Sequence, residues 1–431
     1  MTPSARLQAV IDILEGLEAT AQPADRFLRD WARARRYAGS KDRAAISERT
    51  YAILRHRSSF AWRMGSGDAC ALVIASLLAE GLSSDEIADL FDGKAYGAAA
   101  LSEAERKAVD SLPQGEPPLH VCGEFPPFLE AELTRALGPA LLDEMIAMQA
   151  RAPIDLRVNT LKSSREVVLE ALRAEGHDAK ATPYSPFALR LSSGEGLSKL
   201  SATPLFASGA FEFQDEAAQI AALLCAAKPG MRVLDFAAGA GGKALALAAL
   251  MQNKGEIVAH DTSPARLRPL ALRAMRAGAR IIETCTDFSA PALAGEVASG
   301  ASRRGAFDIV LIDSPCSGTG TWRRQPELRW RVTPDGLAAL TGLQDNLLEQ
   351  GAPFVAAGGR LVYATCSLLP CENEDRIEHF LSRHAEFVVM PASAVWPEGT
   401  APPPGLDRFF KATPLQTGTD GFFTSILQRA R

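Results

Sequence analysis

The chain has only seven cysteines in 431 residues, and no two are spaced Cys-x-x-Cys. Cys366 and Cys371 stand five apart with no matching His or Cys pair nearby, which argues against zinc or any other metal. The odd number also argues against a disulfide framework, so reduced thiols are expected. No apolar stretch reaches membrane-spanning length, and the opening MTPSARLQAVIDILEGLEA carries acidic residues within its apolar pattern, unlike a secretory signal. These absences lead to the expectation of a cytoplasmic protein with no membrane partner. Basic residues are not in excess: 46 Lys and Arg face 51 Asp and Glu, a formal net charge of −5, so any nucleic-acid surface must be a local patch. Internal repeats and low-complexity tracts are absent. What remains, 47% hydrophobic and 23% charged residues, is the balance of a globular protein, and the length implies two or three domains.

Residues 1–145 read as helical. Leu7, Val10, Ile11, Leu14 and Leu17 follow one helical face, Gly39 and Ser40 read as a stop followed by an N-cap, and a second pattern runs through Ile46, Ile53 and Leu54. Arg26, Arg29, Arg33, Arg35, Arg36, Lys41, Arg43, Arg49, Arg55 and Arg57 crowd this region. Singly each suits a solvated face; as a cluster they suit a phosphate-contacting surface equally well. Ser111–Pro127 reads as a Pro- and Gly-rich linker before a helix from Pro127 to Ala150. Residues 146–205 are expected to form a small α/β, RNA-recognition-like subdomain, with strands at Ile154–Val158 and Ala188–Leu191 around a helix at Ser164–Glu175. From 206 to 431 strands alternate with helices. The strands are expected at Arg232–Phe236, Glu256–His260, Arg280–Thr284, Phe307–Ile312, Arg360–Ala364 and Phe422–Leu427, and helices begin near Lys243, Ser263, Leu337 and Asn373. This is the pattern of an α/β, doubly wound, mostly parallel sheet with its ligand crevice at the strand carboxyl ends.

The first of these strands runs directly into Ala237-Ala238-Gly239-Ala240-Gly241-Gly242-Lys243 and a helix-forming run. Glycines let backbone approach a ligand, and the helix N-terminus favours an anionic group. A nucleoside triphosphate loop fails, because Ala244 offers no hydroxyl after Lys243 and Ala237 replaces the first glycine. A dinucleotide turn remains a weak alternative, its third glycine replaced by Ala244. S-adenosyl-L-methionine fits better, since it carries no pyrophosphate. Asp261 ends the next strand, where a carboxylate can accept ribose hydroxyls, and Asp287 follows the third, where an adenine amino group can be held. With Asp235 they make three acids at successive strand ends.

Two further strands end in Asp313-Ser-Pro-Cys316 and Thr365-Cys366-Ser367. Two cysteines on the ligand-facing edge, each in a polar turn, point to reactive thiols. The chemistry that needs a thiol here is alkylation of carbon 5 of cytosine, a poor nucleophile until a thiolate adds to carbon 6. Asp313 suits the amino edge and ring nitrogen 3 of the base, and Lys243 suits Asp313. Physical reasoning does not say which cysteine attacks. Cys70, Cys122, Cys225, Cys285 and Cys371 read as buried or bystander thiols.

These motifs resemble the RNA cytosine-5 methyltransferase family, most closely its bacterial small-subunit ribosomal RNA branch. The resemblance rests on Phe213-Gln-Asp-Glu216, Asp235–Lys243, Asp261 with Arg266, Asp287, Asp313–Gly320, Thr365-Cys366-Ser367 with Glu372-Asn373-Glu374, and Thr419-Asp-Gly-Phe-Phe423. It implies a Rossmann-like class I methyltransferase domain, Cys366 as nucleophile, Cys316 as the release-assisting thiol, and Ala237–Lys243, Asp261, Arg266, Asp287 and Asp313 around S-adenosylmethionine and the base. The N-terminal region is similar to an antitermination-factor-like RNA-binding domain, on Gly39–Arg43 and Tyr51–Arg55, which implies ribosomal RNA rather than transfer RNA as partner. The turn departs from the family's Ala-Pro-Gly-Gly-Lys, reading Gly239-Ala240-Gly-Gly-Lys243, and Gly65–Glu124 matches less clearly.

Trp322-Arg-Arg and Arg329-Trp-Arg331 interleave aromatic and basic residues just past Cys316 and are expected to contact RNA. Of Arg266, Arg268, Arg273, Arg276 and Arg280, Arg266 is the cofactor-site candidate and most of the group are expected in solvent. A monomer is expected. The alternatives are a transfer RNA enzyme, a non-catalytic RNA-binding assembly factor, and a dinucleotide oxidoreductase. An exocyclic-amine methyltransferase would want Asn-Pro-Pro-Tyr or similar where Asp313-Ser-Pro-Cys316 stands.

Overall fold

In the computed structural model, which describes residues 1–111, 113, 115–192, 196–287 and 307–431, the chain divides into two units. One joins Met1–Ala150 to Trp322–Val332; the other comprises Arg151–Thr321 and Thr333–Arg431.

The first unit is helical. The helix Ala69–Ala79 is apolar on nearly every side, so it can only be central, and Leu72, Val73, Ile74 and Leu77 are buried. Helices Pro3–Glu18 and Ser40–Arg55 pack on it with Val10, Ile13, Leu14, Ile46 and Ile53. The N-cap before Ser40 is Gly39 rather than Ser40 itself: Asp42 accepts the Gly39 N–H at 3.3 Å, which moves the helix start one residue back. A helix at Ala24–Ala34 lies between the two expected ones. The 111–127 stretch is more than a linker. It holds a short helix, Leu119–Cys122, and a buried Glu124 that accepts the Ser58 and Ser59 N–H groups at the start of the helix Arg57–Met64. Gly138, at positive φ, divides the segment beyond Pro127 into helices Glu130–Leu137 and Leu141–Ala147.

The second unit contains two sheets. Strands β1 (Ile154–Val158), β2 (Ala179–Ala181), β3 (Ala188–Leu191) and β4 (Phe211–Phe213) make an antiparallel sheet in the order β2-β3-β1-β4. The helix Arg165–Ala174, capped by Ser164, covers it with Val168 and Leu172. The larger sheet is built from β5 (Arg232–Asp235), β6 (Glu256–His260), β7 (Ile282–Cys285), β8 (Phe307–Asp313), β9 (Val355–Thr365), β10 (Phe387–Met390), β11 (Phe410–Ala412) and β12 (Phe422–Arg429). Its order is β10-β12-β9-β8-β5-β6-β7, with β11 beside β12. The five strands from β7 to β9 are parallel, and β12 inserts antiparallel between β9 and β10. Separate apolar clusters lie on the two faces: Val233, Ile257, Ile309 and Val362 belong to one, Leu234, Val258, Val310 and Leu361 to the other. That alternation makes the strands read as continuous apolar runs. The chain runs outward from β5 through β7 and returns beyond β5 at β8, so the switch point lies between β5 and β8.

Among the described residues no helix is long and apolar enough to cross a membrane, and no cluster of His, Cys, Asp or Glu is arranged to hold a metal.

Candidate active site

The register of the parallel strands sets the geometry of the site. Asp235 on β5 pairs with Leu311 of β8, and Asp313 of β8 pairs with Ala364 of β9. Cys316 lies three residues past Asp313 and Cys366 two past Ala364, so adjacent strands deliver both to one edge. Their sulfurs are 3.4 Å apart.

Glu372 ties the two thiol turns together. Its buried carboxylate accepts the Ser317 N–H at 2.8 Å, the Gln344 amide at 3.0 Å, and the hydroxyls of Ser317 and Ser367. Asn373 accepts the Thr365 hydroxyl at 2.6 Å and donates to the Ser367 carbonyl at 2.9 Å. The Gly320 N–H donates to the Cys366 carbonyl at 2.9 Å, and the Gly421 N–H to the Gly320 carbonyl at 2.8 Å. A Cβ on Gly320 would stand 2.1 Å from the Gly421 oxygen, so this approach needs glycine. The Cys366 sulfur beside it, then burial, then the Glu372 charge push the Cys316 thiol well above the usual range. Either sulfur can donate to the other across this contact.

The turn after β5 is shaped by two glycines in left-handed backbone, Gly239 (φ 52°) and Gly241 (φ 76°). Gly241 rests on Leu270, whose Cδ1 lies 2.1 Å from where a Cβ would be. Ala237, Ala238, Gly239, Ala240, Gly242, Lys243, Arg266 and Asp313 line one cavity of about 240 Å³. Gly241 does not line it; it sets the turn. Gln214 is the ninth lining residue. Its Phe213–Glu216 segment was legible as a motif, but no role for the amide was.

Lys243, buried above the Phe422 ring, reaches Asp313 Oδ2 at 2.5 Å. Asp261 is buried and accepts the Gly239 N–H at 3.1 Å and the Ser263 N–H at 2.9 Å, with Arg266 at 3.2 Å. It thus organises the turn as well as facing it. Asp287 follows β7, on the strand beside Asp261, and is exposed. Asp235 is buried beneath the turn; burial first, then the Asp313 charge, push its carboxyl up to about 7 against Lys243 and the Ala244 N–H.

Two expectations are corrected. Arg273 and Arg276 are not in solvent: both pair with Glu212, and Arg273 donates to the Ala240 carbonyl at 2.7 Å. Trp322–Arg331 is not a free RNA-binding strip. Within the helical unit Trp322 and Arg329 are fully buried, the guanidinium over the indole at 4.9 Å. Trp330 donates to the Leu54 carbonyl and Arg331 to that of Gln22, both at 2.9 Å. The amphipathic bodies of Trp and Arg serve a core as well as a nucleic acid, and composition does not separate the two uses.

The chain is similar to a probable ribosomal RNA small subunit methyltransferase B of Synechocystis sp., with 34% identity over 76% of this chain and 72% of the relative. The chain belongs to the RNA (cytosine-5) methyltransferase family. The model of the 16S rRNA methyltransferase RsmB/F family matches residues 222–428, and that of a RsmF/B-like ferredoxin-like domain matches 125–196. Another member, the 28S rRNA (cytosine-C(5))-methyltransferase of Mus musculus, is 32% identical over 70% of each chain. The crystal structure of PH0851 covers 100% of this chain and 99% of its own at 26% identity, with a TM-score of 0.76. A methyltransferase homologue from Pyrococcus horikoshii covers 72% of this chain and 97% of its own at 28% identity, with a TM-score of 0.59. The larger sheet is thus a Rossmann-like class I methyltransferase domain, and the thiol pair, the glycine turn and the Lys243–Asp313 ion pair belong to an RNA-methylating enzyme of this family.

Proposed function

We propose that this enzyme methylates carbon 5 of a cytosine in small-subunit ribosomal RNA, with S-adenosyl-L-methionine as donor, through a transient bond from Cys366 Sγ to carbon 6. The observation that carries this reading is the pair of sulfurs 3.4 Å apart on the strand edge that also bears the glycine turn. The Synechocystis relative's name supports the choice of RNA.

The donor set suits the cofactor. Gly239 and Gly241 bare the backbone of the turn, and Asp261 keeps lone pairs for ribose hydroxyls after its N–H partners are counted. Asp287 sits at the neighbouring strand end for the adenine amino group. When bound, S-adenosylmethionine supplies an electrophilic methyl group. Cys366 adds as thiolate to carbon 6, which gives carbon 5 the electron density to take that methyl. Asp313, held by Lys243, accepts from the exocyclic amine and from ring nitrogen 3 once that atom is protonated. Solvent water then takes the proton from carbon 5, the electrons of that bond re-form the 5,6 double bond, and the sulfur–carbon pair leaves with Cys366 as thiolate. Cys316, 3.4 Å away, assists the Cys366 sulfur as it leaves. The base must leave its stack to meet both groups, so a single-stranded loop is a better substrate than a duplex.

Incubation with methyl-labelled cofactor and naked small-subunit RNA is expected to place label on carbon 5 of cytosine. Label on another ring atom would reject the chemistry; label on transfer RNA alone would reject the target.

A further inference from the structure

Gln214 lies just past β4 with three of its polar groups already committed. Its N–H donates to the Asp155 carbonyl at 3.1 Å, and its own carbonyl accepts from the Gln219 amide at 3.0 Å. Its side-chain oxygen accepts from Arg157 Nη1. Arg157 is buried on β1, and the same nitrogen donates to the Gly242 carbonyl at 2.6 Å.

This fixes which end of the amide faces the cavity. Amide oxygen and nitrogen are alike in shape, but a guanidinium has only donors, so the atom against Arg157 must be the oxygen. The nitrogen is turned toward the turn, 3.7 Å from where a Cβ on Gly242 would be, on a residue that lines the cavity. No protein acceptor for it is found among the described residues. The nine-residue helix Gly242–Leu250 begins beside it, adding its own N-terminal preference for negative charge. The neighbouring acid, Asp313, is paired with Lys243.

We propose that Gln214 Nε2 binds the α-carboxylate of the cofactor's amino acid end, and that Arg157 is the positioning residue that selects this face of the amide. The assignment rests on the S-adenosylmethionine reading above. The ammonium of the same moiety would need an acceptor, and the amide oxygen is turned toward Arg157.

Calorimetric titration of the full chain separates the possibilities. S-adenosylhomocysteine carries the amino acid end; 5′-methylthioadenosine lacks it. Gln214→Leu is expected to weaken S-adenosylhomocysteine by about 10- to 100-fold, the loss of one charge-assisted hydrogen bond, while leaving 5′-methylthioadenosine within about 2-fold. Gln214→Glu still accepts from Arg157, so it should melt like the parent, yet it places carboxylate against carboxylate and should weaken S-adenosylhomocysteine at least as much. Equal loss for both ligands would make Gln214 a strut of the turn, and no loss for either would remove it from the site; both overturn the proposal. A parent protein that binds neither ligand would overturn the cofactor reading itself.

Discussion

Cys316 and Cys366 are fifty residues apart in the chain and 3.4 Å apart at their sulfurs. The neighbouring Cys366 sulfur and burial push the Cys316 thiol above its usual range. The roles proposed above, Cys366 as nucleophile and Cys316 as release-assisting thiol, predict distinct phenotypes. Cys366→Ala should lower methyl transfer by more than about 10³-fold, as removal of a nucleophile does, and should form no RNA adduct. Cys316→Ala should accumulate a covalent protein–RNA species, seen as a band retarded in a denaturing gel. The reverse pattern would exchange the two roles.

Glu372 touches neither sulfur among its hydrogen-bond partners yet binds both thiol turns. Glu372→Ala leaves the Ser317 N–H and hydroxyl and the Ser367 hydroxyl without their shared acceptor in a buried site. Each lost charged hydrogen bond costs about 1.5–3 kcal/mol. Cofactor affinity should stay near the parent value while kcat falls at least tenfold, with partial recovery in Glu372→Gln. A loss confined to cofactor binding would count against this role.

Gly241 is a point where side-chain chemistry is excluded, by its positive φ and by Leu270 below it. Gly241→Ala should destabilise the protein by about 1–3 kcal/mol and weaken cofactor binding with it, measured by chemical denaturation and titration. Gly242, at the start of the same helix, has no such conflict, and Gly242→Ala should melt nearer the parent.

Asp235 gives a pH signature. Its carboxyl is raised from 3.8 to about 7, chiefly by burial, so between those values the folded chain binds a proton that the unfolded chain does not. Its contribution to stability is fully present below about pH 4 and is lost as pH rises through about 7. Asp235→Asn, which cannot ionise, should therefore gain melting temperature relative to the parent at pH 8.5 compared with pH 5. An offset independent of pH would contradict the shift.

The arginines of the helical unit sort by partner. Arg29 pairs with Asp25 at 2.9 Å, Arg49 with Glu80 at 2.9 Å, and Arg57 with Glu18, whereas Arg36 is exposed with no acid partner among the described residues. Arg36→Ala should lower RNA affinity and reduce the salt slope by about 1 without moving the melting temperature. Arg329→Ala should do the opposite, destabilising the fold by about 2–4 kcal/mol through a buried cation–π contact and the hydrogen bond to the Arg55 carbonyl.

Much of this molecule is written locally. Apolar runs ending in Gly, Asp or Cys announced the parallel strands and the edge that bears the glycine turn and both thiols, because a strand buried on both faces has no polar face to confuse its pattern. The glycine turn, Asp261, Lys243 and both thiols were legible because each needs a particular residue type at a strand end. β2 and β4, three residues each, were not, since such short strands carry no periodicity of their own. Partners distant in sequence decided the rest. Trp322, Arg323 and Arg329 became buried in the helical unit rather than surface, Arg273 and Arg276 found Glu212, and Arg157 turned the Gln214 amide toward the cavity. Propensity and pattern are properties of neighbours along the chain. Burial and the sharing of a proton or a lone pair belong to neighbours in space, and only the folded structure chooses those.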